Sequence, residues 1–465
     1  MDKRFGRMLP LKTAALLLLA LLFAGCATTQ VSGGGQATPA ERGALAAAAE
    51  LARNDAGLVG QAKQDNARQI ERLLSGIDNA TLARDAAALP AGDPLYPFAG
   101  RALLNRGLPL PRPFARDAQW KFDLNNRPAA ERDGYRPPVK LAVLLPLSGQ
   151  LATASAPVRD GLLAGYYGES RRRPEIDFYD TAGTPAGAVD AYGRAAAAGA
   201  DFVIGPLGRD EVTAVFRDSK LSVPVLALNR GAVAPPSGNA GFSLAPEDDG
   251  IIAAEYLLNR ERRTALVIGG ADDNGRRAAN AFRDRFTERG GKVVETLSVG
   301  DTPGNLSANL GAAAQGGVDA VFLALKGSTA RAIAPQLALA GLGGKSRVAT
   351  SQLISGTGKP EQDSALDGIV YPTEVWTARG IAGLPAASVA GASLPTARGP
   401  AARLFAFGYD AWMLTAYLEK LATGDNVQLK GATGELSLDG FGNVIRTPAW
   451  STFSGGRAVP VSGGG

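Results

Sequence analysis

The 465-residue chain contains no histidine and one cysteine. Without histidine there is no Ser-His-Asp or Cys-His catalytic arrangement, and the commonest general base and zinc ligand are missing. A single thiol, Cys26, closes no intrachain disulfide. Aromatic residues make up only 6% of the chain, and no apolar run reaches the length of a membrane span. The longest, Ala14 to Phe23, has ten residues. At about 1.5 Å per residue it covers half of a ~30 Å hydrocarbon core.

That run follows Lys3, Arg4, Arg7 and Lys12 and ends in Ala24-Gly25-Cys26. A basic segment, a short apolar core and a small-residue cleavage site describe an export signal over residues 1–25. Phe23-Ala24-Gly25-Cys26 resembles the lipobox of bacterial lipoproteins, which implies lipid attachment at Cys26. Ala27 follows it, and the absence of Asp there resembles the default sorting to the outer membrane. Acyl chains on one residue supply the two or more signals that stable anchoring needs. The net charge of +5 includes this basic leader. The remaining basic residues are scattered, apart from Arg171 to Arg173, so a solvated surface is expected and no nucleic-acid partner.

Residues 26–37 read as a lipidated tether, Gly/Ser-rich from Val31 to Gln36. Residues 38–137 read as a short helical region and a proline-rich linker. Thr38-Pro39-Ala40-Glu41 forms a capping box with proline at the first helical position. From Pro90 to Pro138 nine prolines predict little regular structure. From Val139 onward continuous apolar runs recur, as in Lys140–Leu145, Asp201–Ile204, Thr264–Ile268 and Ala320–Leu323. Strands of this kind are covered on both faces. Helical segments lie between them, among them Pro246–Asn259 and Asn274–Arg289, where Ala278, Ala279, Phe282 and Phe286 share a face. The alternation predicts an α/β fold with mostly parallel sheets. Residues 138–465 are expected to form two lobes: one of about 138–235 plus 376–465, the other of about 236–375. Helix Ala401–Thr423 should pack on the first lobe, with a hairpin from Glu435 to beyond Asn443. The cleft would lie between the lobes, at the strands' C-terminal ends.

A series of short words carries a family resemblance: Leu145-Pro146-Leu147-Ser148-Gly149, Tyr179-Asp180-Thr181, Gly205-Pro206-Leu207, Leu244-Ala245-Pro246-Glu247-Asp248 and Phe407-Gly408-Tyr409-Asp410-Ala411-Trp412. In this order, behind a lipobox, they resemble the penicillin-binding protein activator lipoproteins, the LppC/LpoA family. The resemblance implies a type I periplasmic-binding-protein fold behind a short helical segment. It implies a non-enzymatic regulator on the periplasmic face of the outer membrane. Its partner would be a class A penicillin-binding protein, whose peptidoglycan cross-linking it stimulates, and no cofactor is implied. Enteric members carry a large helical-repeat domain ahead of this fold. Here only about 110 residues precede it, room for roughly one and a half 34-residue repeats.

The alternative is a lipid-anchored solute receptor for amino acids or related molecules. Cleft positions would then be Ser148, Gly205, Pro206 and Asn229. Receptors of this fold hold a ligand carboxylate with hydroxyls and exposed helix N–H groups. The turn from Gly205 to Gly208 offers no hydroxyl, so these residues are expected to shape turns and a small-molecule ligand is disfavoured. Gly344-Lys345-Ser346 lacks the first glycine of a phosphate loop and precedes a strand. Asp272-Asp273-Asn274-Gly275 lacks the alternating oxygens of a calcium loop and reads as a helix start. Tyr409, Trp412 and Tyr417 are expected in the core.

Overall fold

The computed structural model describes residues 38–115, 127–217, 221–424 and 427–461. The signal, Cys26 and the tether to residue 37 lie outside the described residues.

Four helices open the described chain: α1 (Pro39–Asp55), α2 (Gly60–Ser75), α3 (Asn79–Ala88) and α4 (Tyr96–Leu104). The capping box is present: Glu41 N–H donates to Thr38 Oγ1 at 3.2 Å, and Thr38 N–H to Glu41 Oε2 at 2.7 Å. Ala48, Ile70, Leu74, Leu82, Phe98 and Leu103 form their shared core. Helix α4 corrects the expectation of an irregular stretch. Pro97 lies in its first turn, where a missing N–H breaks no helical bond.

The first lobe is built on five parallel strands, β1 (Lys140–Leu145), β2 (Glu175–Asp180), β3 (Phe202–Ile204), β4 (Val225–Ala227) and β5 (Ala240–Gly241), in the order β2-β1-β3-β4-β5. Helices α5 (Ala152–Gly168), α6 (Pro185–Ala197) and α7 (Arg209–Arg217) connect them. The second lobe holds β6 (Thr264–Gly270), β7 (Lys292–Val299), β8 (Ala320–Ala324), β9 (Ser346–Ala349) and β10 (Val370–Thr373). Its helices are α8 (Pro246–Leu258), α9 (Asp273–Glu288), α10 (Ser307–Gln315), α11 (Gly327–Leu339) and the single turn α12 (Pro360–Asp363). The chain then returns to the first lobe through α13 (Val375–Arg379), α14 (Ala387–Ser393) and α15 (Ala401–Thr423). A small antiparallel sheet follows: β11 (Leu429–Lys430), β12 (Glu435–Leu438) and β13 (Val444–Thr447).

Helix α15 buries Phe407, Ala411, Trp412 and Leu414 against Leu141, Val143, Val158 and Phe202 of the first lobe, as expected. Its close crossing with α5 needs glycine on both sides. A Cβ at Gly161 would overlap the Phe405 carbonyl, and one at Gly408 the Val158 carbonyl.

Two lobe boundaries differ from the sequence reading. β5 pairs with β4, so the first crossing falls after Gly241 and not near 235. The Gly/Pro/Ser-rich text before it is a loop that stays on the first lobe. At the other end, β14 (Ala449–Ser454) and β15 (Arg457–Pro460) join the second sheet, in the order β15-β14-β10-β9-β8-β6-β7. Pro448 cannot donate to a ladder and separates β13 from β14. Trp450 then buries beside Phe282 and Phe322 of the second lobe and lies 4.3 Å from the Tyr256 ring. The chain therefore crosses between lobes three times: at 242–245, at Glu374 and at Pro448. This is a type I periplasmic-binding-protein fold.

Residues 127–137, read as linker, carry no helix or strand yet are fastened to the first lobe. Arg127 Nε donates to Asp201 at 3.0 Å, and Arg136 Nη1 donates to both Glu419 carboxylate oxygens at 2.7 and 2.9 Å. Tyr135 is buried edge-on against Tyr417.

Candidate functional site

Of the four expected cleft positions, Gly205, Pro206 and Asn229 come together at the ends of β3 and β4. Ser148 lies in the turn after β1. Its hydroxyl donates to Asp180 Oδ2 at 2.6 Å, and the N–H groups of Leu147 and Ala182 donate to Oδ1 at 2.9 and 2.8 Å. The Ser148 hydrogen bond, followed by that from the Ala182 N–H, holds the Asp180 carboxyl below its usual range. Gly205 has φ +98°, and a Cβ there would collide with the Leu144 carbonyl. The Pro206 carbonyl accepts the Leu228 N–H at 3.0 Å. Asn229 Nδ2 donates to the Leu207 carbonyl at 2.7 Å, and its Oδ1 accepts the Arg230 N–H. These residues hold the turns together, and their polar atoms are engaged by the chain itself.

Glu211 was not singled out from the sequence. It lies in the first turn of α7, almost fully buried, and accepts the Gly208 N–H at 2.5 Å. Burial raises its carboxyl above the usual range. The helix start that would receive a ligand's carboxylate is therefore filled by one of the chain's own. The signal was present: a Glu three residues after Gly208 is the acidic half of a capping arrangement.

Opposite these turns, a crevice of about 50 Å³ lies at the C-terminal ends of β6, β8 and β9. Asp249, Asp272, Lys326, Thr350 and Gln352 line it from the second lobe, and Arg403 from α15 of the first. A volume of this size holds about one or two waters. Lys326 Nζ is engaged by Asp301 at 3.1 Å and Asp272 at 3.4 Å.

Beside the crevice an ionic cluster joins the lobes. Asp249 of α8 accepts the N–H of Ser351 at 2.9 Å and also its hydroxyl. From the first lobe, Arg446 Nη2 approaches Asp249 Oδ1 at 3.6 Å, and Arg403 Nη2 approaches Oδ2 at 3.8 Å. Arg403 Nε also lies 3.3 Å from Glu374 at the second crossing. The two carboxylates are almost wholly buried. Burial, and next the Arg403 charge, pull the Arg446 guanidinium below its usual pKa. Two acids and two bases balance here, and the four charges stay out of water only while the lobes remain in contact, so deleting one of them leaves its partners buried without a counter-charge.

The N-terminal helices bind both lobes. On the first, Gln64 Nε2 donates to the Ala232 carbonyl at 2.6 Å, Arg101 bonds Asp439, and Phe98 meets Phe441 edge-on at 4.7 Å. On the second, Arg289 at the end of α9 donates to the Ile77 carbonyl at 3.4 Å and to Asn79 at 3.3 Å. Rotating one lobe against the other would break one of these sets.

Among the described residues no group of three or more Cys, Asp or Glu could hold a metal, and no helix is long and apolar enough to cross a membrane. Trp412 is buried as expected. Tyr409 is half-buried, and Tyr417 donates to Asp133 at 2.6 Å on the surface of the first lobe.

The family model described as "LppC putative lipoprotein" matches residues 135–456. The penicillin-binding protein activator LpoA of Mannheimia succiniciproducens is 27% identical over 340 residues, covering 70% of this chain and 55% of that protein. The C-domain of LpoA from Haemophilus influenzae, a regulator of PBP1A, superposes with a TM-score of 0.58 at 23% identity, over 69% of this chain and 99% of that one. Full-length LpoA from the same organism gives 0.59 at 20% identity, over 90% of this chain and 78% of that one. The chain spans about half the length of the curated relatives it matches. The family match takes in both lobes and all three crossings, and on that ground the chain belongs to the LppC lipoprotein family.

Proposed function

We propose that the chain is a non-enzymatic activator of a class A penicillin-binding protein, anchored through lipid on Cys26 to the periplasmic face of the outer membrane. The observation that carries this reading is the fixed lobe junction. The ionic cluster of Asp249, Glu374, Arg403 and Arg446 ties the lobes together, and the N-terminal helices bridge them from outside. A scaffold held in one arrangement acts by presenting a surface to another protein. The names of the LpoA relatives supply the partner class. The lack of histidine supports a regulator without chemistry of its own.

A solute receptor closes its lobes on a ligand, and the N-terminal helices, fastened to both lobes, oppose that rotation. The small crevice and the self-satisfied turns at Ser148, Gly205 and Asn229 also count against an amino-acid ligand.

The deciding experiment adds the purified chain to a purified class A synthase and measures the cross-linked fraction of the peptidoglycan product. A rise supports the reading, and an unchanged fraction overturns it. Tight calorimetric binding of an amino acid, with lobe closure in solution scattering, would favour the receptor. For the anchor, Cys26→Ala should abolish incorporation of labelled palmitate and release the protein into the soluble periplasmic fraction.

A further inference from the structure

We propose that the synthase docks on an uncharged face of the first lobe centred on Tyr167, Val389 and Leu394; this rests on the activator reading above. One residue in five of the chain is charged, yet Gly380 to Ala397, eighteen residues, carries no charge at all. This segment is fixed in place. Ile381, Leu384, Ala387 and Ala390 pack with Trp376 and Phe405. Trp376 Nε1 donates to the Pro385 carbonyl at 2.9 Å, and Thr396 Oγ1 donates to Asp160 of α5 at 2.7 Å. Its outer side leaves Val389 62% and Leu394 40% exposed.

Tyr167 stands at the end of α5, beside the point where Gly168 adjoins the Gly383 carbonyl. It is 70% exposed. Its ring meets Tyr166 edge-on at 5.2 Å, and Tyr166 meets the buried Trp412 edge-on at 5.4 Å. A ladder of rings therefore braces an exposed aromatic from the core. Pre-positioned Tyr and Arg side chains around apolar surface are the usual anchors of protein interfaces.

The edge of the face is basic. Arg173 lies over Tyr166 and Tyr167 at 5.0 and 5.9 Å. Arg398, beside Gly391 of α14, makes no ion pair among the described residues. The acids nearby are already engaged: Asp160 by Arg159 and Thr396, and Glu169 by Arg171. The charge left over is positive, so the complementary surface is an apolar ridge flanked by carboxylates.

The test measures the affinity of the full mature chain, in detergent, for purified synthase. The double variant Val389→Asp/Leu394→Asp and the single variants Tyr167→Ala and Arg398→Glu are compared with wild type. Leu339→Asp, on the second lobe and 90% exposed, is the control. Thermal unfolding checks that each variant folds. The expected result is at least about tenfold weaker binding for the double variant and a flatter salt dependence for Arg398→Glu, with the control unchanged. Face variants that bind the synthase as wild type does overturn the docking face alone. Wild-type chain that fails to bind overturns the activator reading and this face together. Loss of binding to phosphatidylglycerol vesicles with synthase binding intact would reassign the face to lipid and overturn the proposal.

Discussion

Arg101 Nε donates to the Asp439 carboxylate at 2.8 Å, and this bond joins α4 to the β12–β13 turn of the first lobe. The same guanidinium bonds Glu71 of α2 at 2.9 Å and lies 3.8 Å over the Phe441 ring. Asp439 is fully buried and also accepts the N–H groups of Phe441 and Asn443 at 2.8 and 2.7 Å. Arg101→Ala leaves that carboxylate with its local donors alone. We expect a loss of about 2–4 kcal/mol in denaturant unfolding, from a buried charge without its cation and a lost cation–π contact. Hydrogen exchange should quicken first in the 439–443 turn.

Asp249→Ala tests the junction itself. It removes an acid facing both Arg403 and Arg446 and frees Ser351. Breaking a buried pair from one side costs about 3–5 kcal/mol. Arg403 keeps Glu374, so the lower end of that range is expected. Solution scattering should show a wider spread of lobe angles than in wild type. An unchanged unfolding midpoint would mean that the cluster does not hold the lobes.

Much of this fold was legible in the sequence. The fully buried run Leu141 to Leu145 announces a strand by its continuity and short length, and the face of Ala278, Phe282 and Phe286 announces a helix by its period. The crossings were harder. β5 is two residues long and pairs through its backbone, so no side-chain pattern marks it. β14 reads as a continuation of the β13 hairpin, and only its pairing with β10 assigns it to the second sheet. At the site, the missing hydroxyls around Gly205 were visible in the text. The cluster of Asp249, Glu374, Arg403 and Arg446 was not. Its members lie far apart in sequence, and each alone resembles an ordinary surface charge.

The boundary at residue 138 makes a prediction about fragments. Arg127, Tyr135 and Arg136 lie before it, yet bond or pack against Asp201, Tyr417 and Glu419 of the first lobe. Cutting at 138 strands part of the Asp201 and Glu419 bonding. A fragment from Arg127 should unfold at a higher temperature than one from Pro138, by several degrees. Equal midpoints would show that the segment adds nothing to the lobe.

Asp410 sets a pH dependence. It is wholly enclosed in the first lobe and accepts the N–H groups of Ala432 and Thr433 at 2.6 and 2.8 Å, and the Thr433 hydroxyl at 2.6 Å. Burial outweighs these donors and pushes its carboxyl up to about 6, from 3.8 in a free side chain. The folded state therefore holds this proton more tightly than the unfolded chain does. Through this group, stability falls as pH rises from about 4 to about 6 and then levels off. The penalty at neutral pH is of order 2–3 kcal/mol. Asp410→Asn removes the titration but gives up an acceptor oxygen, so the variant can be less stable at acidic pH. The informative quantity is the slope: denaturant unfolding between pH 4 and pH 6.5 should show wild type losing stability relative to the variant. Parallel curves across that window would mean that Asp410 ionises in the folded protein as readily as in the unfolded chain.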